Sequence, residues 1–193
     1  MLSKILPVLA LIGASFTLSA QDFADLDKSP MDAVYYPARA AFRSFAKTED
    51  EAAALEPKIR VLYSRPYLKG RTAWGGELAP YGEPYRLGAN ETAEVHFFTP
   101  VMVGGTTLPA GRYTIGAIPG EESWDVFFSS DLDGWGVYAY DAEKNRATVT
   151  VPTQSMDESL ENFGITMYEA DSGAVHLKMG WDKTYVEVPI TLK

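Results

Sequence analysis

The chain has no cysteine among its 193 residues, so no disulfide and no thiolate chemistry is open to it. Histidine is nearly as scarce, with two residues, His96 and His176. Both fall inside apolar-alternating segments far apart in the chain, so they read as strand filler and not as the closely spaced ligands of a zinc site. There is no Gly-x-Ser-x-Gly elbow to present a serine nucleophile. Basic residues are outnumbered, 17 Lys and Arg against 26 Asp and Glu, for a formal charge of −9. That balance repels phosphate backbones and argues against nucleic acid as a partner. Repeats, Gly/Ser linkers and low-complexity blocks are absent, and beyond the first twenty residues no apolar run is long enough to span a membrane.

Those first twenty residues resemble an export signal. Lys4 gives a basic start, Ile5 to Phe16 is apolar, and small residues end at Ala20. The expectation is a signal peptide over 1–20 and one domain over 21–193, exported to the periplasm or beyond, with no transmembrane segment in the mature chain. With no cysteine after the apolar stretch, no lipid attaches there.

Residues 59–64 alternate, with Ile59, Val61 and Tyr63 on one face. Similar alternation recurs over 94–98, 101–103, 106–108, 113–118, 124–128, 136–140, 146–151, 163–168, 174–181 and 184–191. Gly, Pro and Asp punctuate it, with Gly104-Gly105 as a two-residue hairpin turn. Short strands at this spacing predict an all-β fold, an antiparallel β-sandwich of jelly-roll or Ig-like type. Within 39–55 the alanine content and Thr48-Glu49-Asp50-Glu51 predict at most one short helix.

Against its acidic background, the stretch from Lys58 to Glu91 carries six Lys/Arg and three Glu, interleaved with aromatics and turn residues. Guanidinium groups hold carboxylate, phosphate or sulfate in a two-pronged fork, and exposed rings in loops serve as stacking surfaces. The candidate ligand-binding residues are therefore Arg65, Arg71, Trp74, Tyr81, Arg86, Asn90 and Glu91, gathered at one hollow. The competing reading is that the arginines pair with the protein's own acids. Glu91 is the one candidate for a catalytic acid or base. Trp124, Trp135 and Trp181, flanked by strand patterns, read as core anchors. Asp131-x-Asp133-Gly134 offers carboxylates at a turn but lacks the rest of a calcium loop, including an acid at its twelfth position, Ala142.

Several motifs together resemble a known family. They are Asp27-Lys28-Ser29-Pro30-Met31-Asp32, Tyr63-Ser64-Arg65-Pro66, Lys69-Gly70-Arg71, Tyr85-Arg86-Leu87-Gly88-Ala89-Asn90-Glu91, Pro109-Ala110-Gly111-Arg112-Tyr113 and Trp181-Asp182-Lys183-Thr184. They are similar, in order, to the exported bacterial family called domain of unknown function 2911. The resemblance implies an exported β-rich domain and carries no activity, cofactor or ligand. The chain departs from the family pattern at Tyr85, where tryptophan is usual, and over 40–55.

The functional expectation is an exported domain, more binder than enzyme and without metal or other cofactor, that takes a small anionic or carbohydrate ligand. The alternatives are a glycan hydrolase using Glu91 and a purely structural envelope protein.

Overall fold

A computed structural model describes residues 23–193. The expected signal peptide lies outside these residues. Ten strands form two antiparallel sheets. They are β1 (Met31–Tyr36), β2 (Ile59–Ser64), β3 (Ala93–Phe97), β4 (Val101–Val103), β5 (Thr106–Leu108), β6 (Gly111–Pro119), β7 (Ser123–Ser129), β8 (Asn145–Pro152), β9 (Gln154–Glu169) and β10 (Val175–Leu192). The larger sheet has the order β1-β2-β3-β6-β7-β8 and the smaller β5-β4-β10-β9. The all-β sandwich read from alternation is the observed architecture. The expected glycine hairpin joins β4 to β5, with Gly104 and Gly105 both at positive φ and Val103 opposite Thr106.

One six-residue helix, α1 (Glu49–Ala54), starts where the acidic cluster suggested. Thr48 Oγ accepts the Glu51 amide at 3.1 Å, and Glu51 returns a carboxylate oxygen to the Lys47 amide at 2.7 Å. The first satisfies one of the donors that a helix start leaves open, and the second fixes the residue that precedes the cap. A 3-10 helix, Ala40–Phe45, precedes it.

β10 is not a single extended run. His176 Nδ1 lies 3.0 Å from Glu187 Oε2, and Lys178 Nζ stands 3.6 Å from the centre of the Tyr185 ring. Eleven extended residues would hold their ends about 36 Å apart. The chain therefore doubles back near Asp182, whose φ is 54°. The separate strands expected over 174–181 and 184–191 are the two arms of this hairpin.

The core between the sheets is aromatic. Trp74, Tyr85, Trp124, Phe163 and Trp181 pack together, with ring centres 4.2 Å apart for Trp74 and Trp124 and an edge-to-face contact of 5.6 Å from Trp74 to Tyr85. Each such pair is worth about 0.5–1.5 kcal/mol beyond the area it buries. Two of the three tryptophans expected as core anchors, Trp124 and Trp181, are fully buried.

The third corrects the expectation. Trp135 is 61% exposed, and residues 136–140, expected as a strand, form a turn. Both belong to the long connection between β7 and β8, which folds over the outer face of the larger sheet instead of adding a strand to it. Of its aromatic rings Tyr140 packs on Phe127 of β7, whereas Trp135 and Tyr138 are exposed. On β6 and β7 the consequence is burial of both faces. Ile115, Ala117, Val126 and Phe128 point into the sandwich, while Thr114, Phe127 and Ser129 are buried beneath the connection.

Candidate functional site

The proposed gathering of Arg65, Arg71 and Arg86 at one hollow does not occur; the three line three different depressions. Arg65, just past β2, donates from Nη1 to Asp32 at 3.0 Å and from Nε to the Phe163 carbonyl at 3.2 Å. Proline at 66 holds this residue extended, and its guanidinium ties β1 to β9. Arg71 folds back on its own turn, donating to the carbonyls of Leu68 and Tyr67, each at 2.9 Å. Both arginines follow the competing reading in one respect: their forks are satisfied from within, though mostly by carbonyls rather than by acids.

Trp74 is likewise no binding wall. It is buried, and its indole N–H donates to the Trp181 carbonyl at 2.9 Å. Its loop turns inward because a large apolar ring gains more from the aromatic core than from solvent. Tyr81 is partly exposed but lies against Gly75, where a Cβ would come within 2.6 Å of the tyrosine ring. It is absent from the hollow that Arg86 lines.

Arg86 differs from the others. Tyr85 pairs its backbone with Ala117 of β6, accepting at 3.0 Å and donating at 2.7 Å. This sends the Tyr85 ring into the core, where burial pushes its hydroxyl pKa up despite the neighbouring Arg86 charge. Strand alternation then sends Arg86 to the opposite, outer face. There it lines a hollow of about 50 Å³ between the sheet and the β7–β8 connection. Its Nε is buried with no hydrogen-bond partner, and no ion pair engages it among the described residues. Leaving such a donor unpaired costs about 1–3 kcal/mol, so an unmatched one calls for a partner.

The acids bordering the same hollow are committed elsewhere. Asp131 is bonded to Lys144 Nζ at 3.0 Å, and Asp141 accepts the Glu143 amide at 3.0 Å at the start of a 3-10 turn. Asp133, the other acid of the Asp131-x-Asp133-Gly134 turn, pairs with Arg112 at 2.7 Å.

The walls of the hollow are mainly apolar: Phe127, Val137, Ala139, Trp135 and the bare backbone of Gly116. A Cβ at Gly116 would fall 2.3 Å from the Phe127 ring, so the glycine lets that ring lie flat across β6. Phe127 in turn packs on Tyr140, ring centres 4.6 Å apart. The connection is fastened by the island's end. Thr92 N–H donates to the Gly134 carbonyl at 3.0 Å, and Gly136 N–H to the Asn90 carbonyl at 2.8 Å. Thr114 Oγ donates to the Asp131 carbonyl at 2.5 Å.

Asn90, at φ 61°, thus acts through its backbone, and Glu91 forms an isolated bridge with Trp135. Glu91 itself is exposed and faces a neighbouring hollow of about 230 Å³ with Glu94 and Asp133. Of the seven residues singled out from the sequence, Arg86, Asn90 and Glu91 meet the β7–β8 connection. Arg65, Arg71, Trp74 and Tyr81 do not. Sequence reasoning missed Gly116, Phe127 and the connection itself. One signal was available: consecutive phenylalanines at 127 and 128 mean that both faces of β7 are covered.

The described residues include no helix long and apolar enough to cross a membrane and no group of three or more His, Asp or Glu suited to a metal ion. No curated protein and no solved structure gives a match. Among known families, the model described as "Protein of unknown function (DUF2911)" matches residues 46–190, from just before α1 into the last arm of β10 and including Arg86 and the whole β7–β8 connection. The chain therefore belongs to the DUF2911 family.

Proposed function

We propose that this is an exported, non-catalytic domain that binds a small anionic ligand through Arg86 in the hollow beneath the β7–β8 connection. The observation that carries the reading is the unpaired guanidinium, with a buried Nε lacking an acceptor and neither bordering acid bonded to it. A preformed cationic fork in a largely apolar hollow suits an incoming acid group, which would supply the missing acceptors. The export signal read from residues 1–20 supports an extracytoplasmic setting.

A purely structural role accounts for Arg65 and Arg71, both satisfied within the chain, but leaves Arg86 without a purpose. The hydrolase alternative has less support. Glu91 is exposed, and the acids sharing its hollow, Glu94 and Asp133, are both held by Arg112. A hollow of this size accommodates an acid group but not a sugar ring, so a carbohydrate would have to approach by its charged substituent.

Calorimetric titration of the purified protein with small carboxylates, phosphate and sulfate tests the reading. One-to-one binding that weakens with added salt and is lost in Arg86→Gln is expected. Absence of heat with every anion, or equal affinity in the variant, would overturn it.

A further inference from the structure

Building on Arg86 as the anion-binding group, we infer that the ligand is a short aliphatic monocarboxylate, its acid group on the guanidinium and its chain lying between Phe127 and the β7–β8 connection. Three observations select this class. The hollow holds about 50 Å³, and at about 10–15 Å³ per water its room is that of a few waters or of some four to six non-hydrogen atoms. Much of its lining is carbon, from Gly116, Phe127, Val137 and Ala139, and its two acids, Asp131 and Asp141, disfavour a second negative charge on the ligand. Among the described residues Arg86 is the only cation lining it, so a dianion such as phosphate would keep one charge uncompensated.

Tyr140 Oη already accepts from Asn145 Nδ2 at 3.0 Å, which leaves its own proton free to donate. Thr92, Thr114 and Ser129 already donate their protons to the carbonyls of Gly134, Asp131 and Lys144. An acid group bound to Arg86 therefore meets at most one further hydroxyl donor, and the aliphatic chain has carbon to lie against on Gly116, Phe127, Val137 and Ala139.

The test is a chain-length series followed by calorimetry and by the indole N–H resonance of Trp135 in a proton–nitrogen spectrum. Acetate, propionate, butyrate, valerate and octanoate are compared with butanol, glucuronate and inorganic phosphate. Affinity is expected to rise to propionate or butyrate and to fall by octanoate, with butanol weaker than butyrate by about tenfold or more, the minimum for losing a charge-assisted bond. Arg86→Gln should weaken butyrate by a similar factor. Ala139→Phe, which fills the apolar end from an exposed position, should abolish the preference for butyrate over acetate while leaving the fold intact. If phosphate or glucuronate binds through Arg86 and the aliphatic acids do not, the monocarboxylate assignment falls and anion binding stands. If no anion binds, both fall.

Discussion

Replacing Arg86 with methionine should make the ligand-free protein more stable while destroying anion binding. Methionine keeps most of the apolar stem and removes the charged head, whose buried Nε has no acceptor. The orphaned donor costs about 1–3 kcal/mol, partly offset by the solvent contact that the fork's outer nitrogens keep, so a net gain of about 1 kcal/mol is expected. For a domain of this length that corresponds to a rise in Tm of about 2–4 °C. The companion variant Arg65→Met should move the other way by about 1–2 kcal/mol, since it breaks a bond to Asp32 and one to the Phe163 carbonyl. Urea denaturation of the three proteins without ligand reads both signs. Saturating ligand at about a hundred times Kd should then stabilise wild type by about 2.7 kcal/mol and Arg86→Met not at all. A loss of about 3 kcal/mol or more in ligand-free Arg86→Met would refute the reasoning, because that is the signature of a buried pair deprived of one partner.

Trp74→Ala should cost about 3–5 kcal/mol, the range for emptying a large aromatic site, whereas an exposed binding platform would lose little; equilibrium unfolding decides between them. Acid should weaken the fold in two stages. Partial burial, with Arg60 and Arg112 outweighing Glu94, holds the His96 pKa below its ordinary 6.5. Its contribution is therefore complete above pH 6.5 and declines as pH falls through the folded value. Burial pushes the Glu187 pKa up, but hydrogen bonds from His176 and Tyr168 and the Lys178 charge outweigh it, leaving the pKa below 4.5. Its contribution is complete above pH 4.5 and is lost below. Denaturant midpoints measured from pH 7 to pH 3 should fall in both windows, the first stage vanishing in His96→Gln and the second in Glu187→Gln; a flat wild-type profile would contradict both.

Much of the sandwich was legible because its signals are local. Ile59, Val61 and Tyr63 alternate with polar neighbours, Gly104-Gly105 dictates a two-residue turn, and Thr48 with Glu51 marks a helix start; each depends on residues a few positions apart. The break between Trp181 and Thr184 was readable for the same reason, and the doubled-back arms of β10 follow from it. The segment 136–140 misled because alternation records only that a stretch is half-covered. It does not say whether the cover is a sheet partner or, as here, the outer face of strands already paired.

The site divides along the same line. Composition alone closed off thiol chemistry, showed imidazole to be scarce and the charge balance acidic, and marked a basic island from Lys58 to Glu91 that does contain Arg86. Which arginine of that island stays free was decided only by the fold. Arg65 finds Asp32 and a carbonyl 98 positions away, and Arg71 finds its own turn. Arg86 is carried by the Tyr85–Ala117 pairing to a face where the nearby acids already have partners. A guanidinium's availability depends on which groups reach it across sheets and long connections, and those distances are set by tertiary packing.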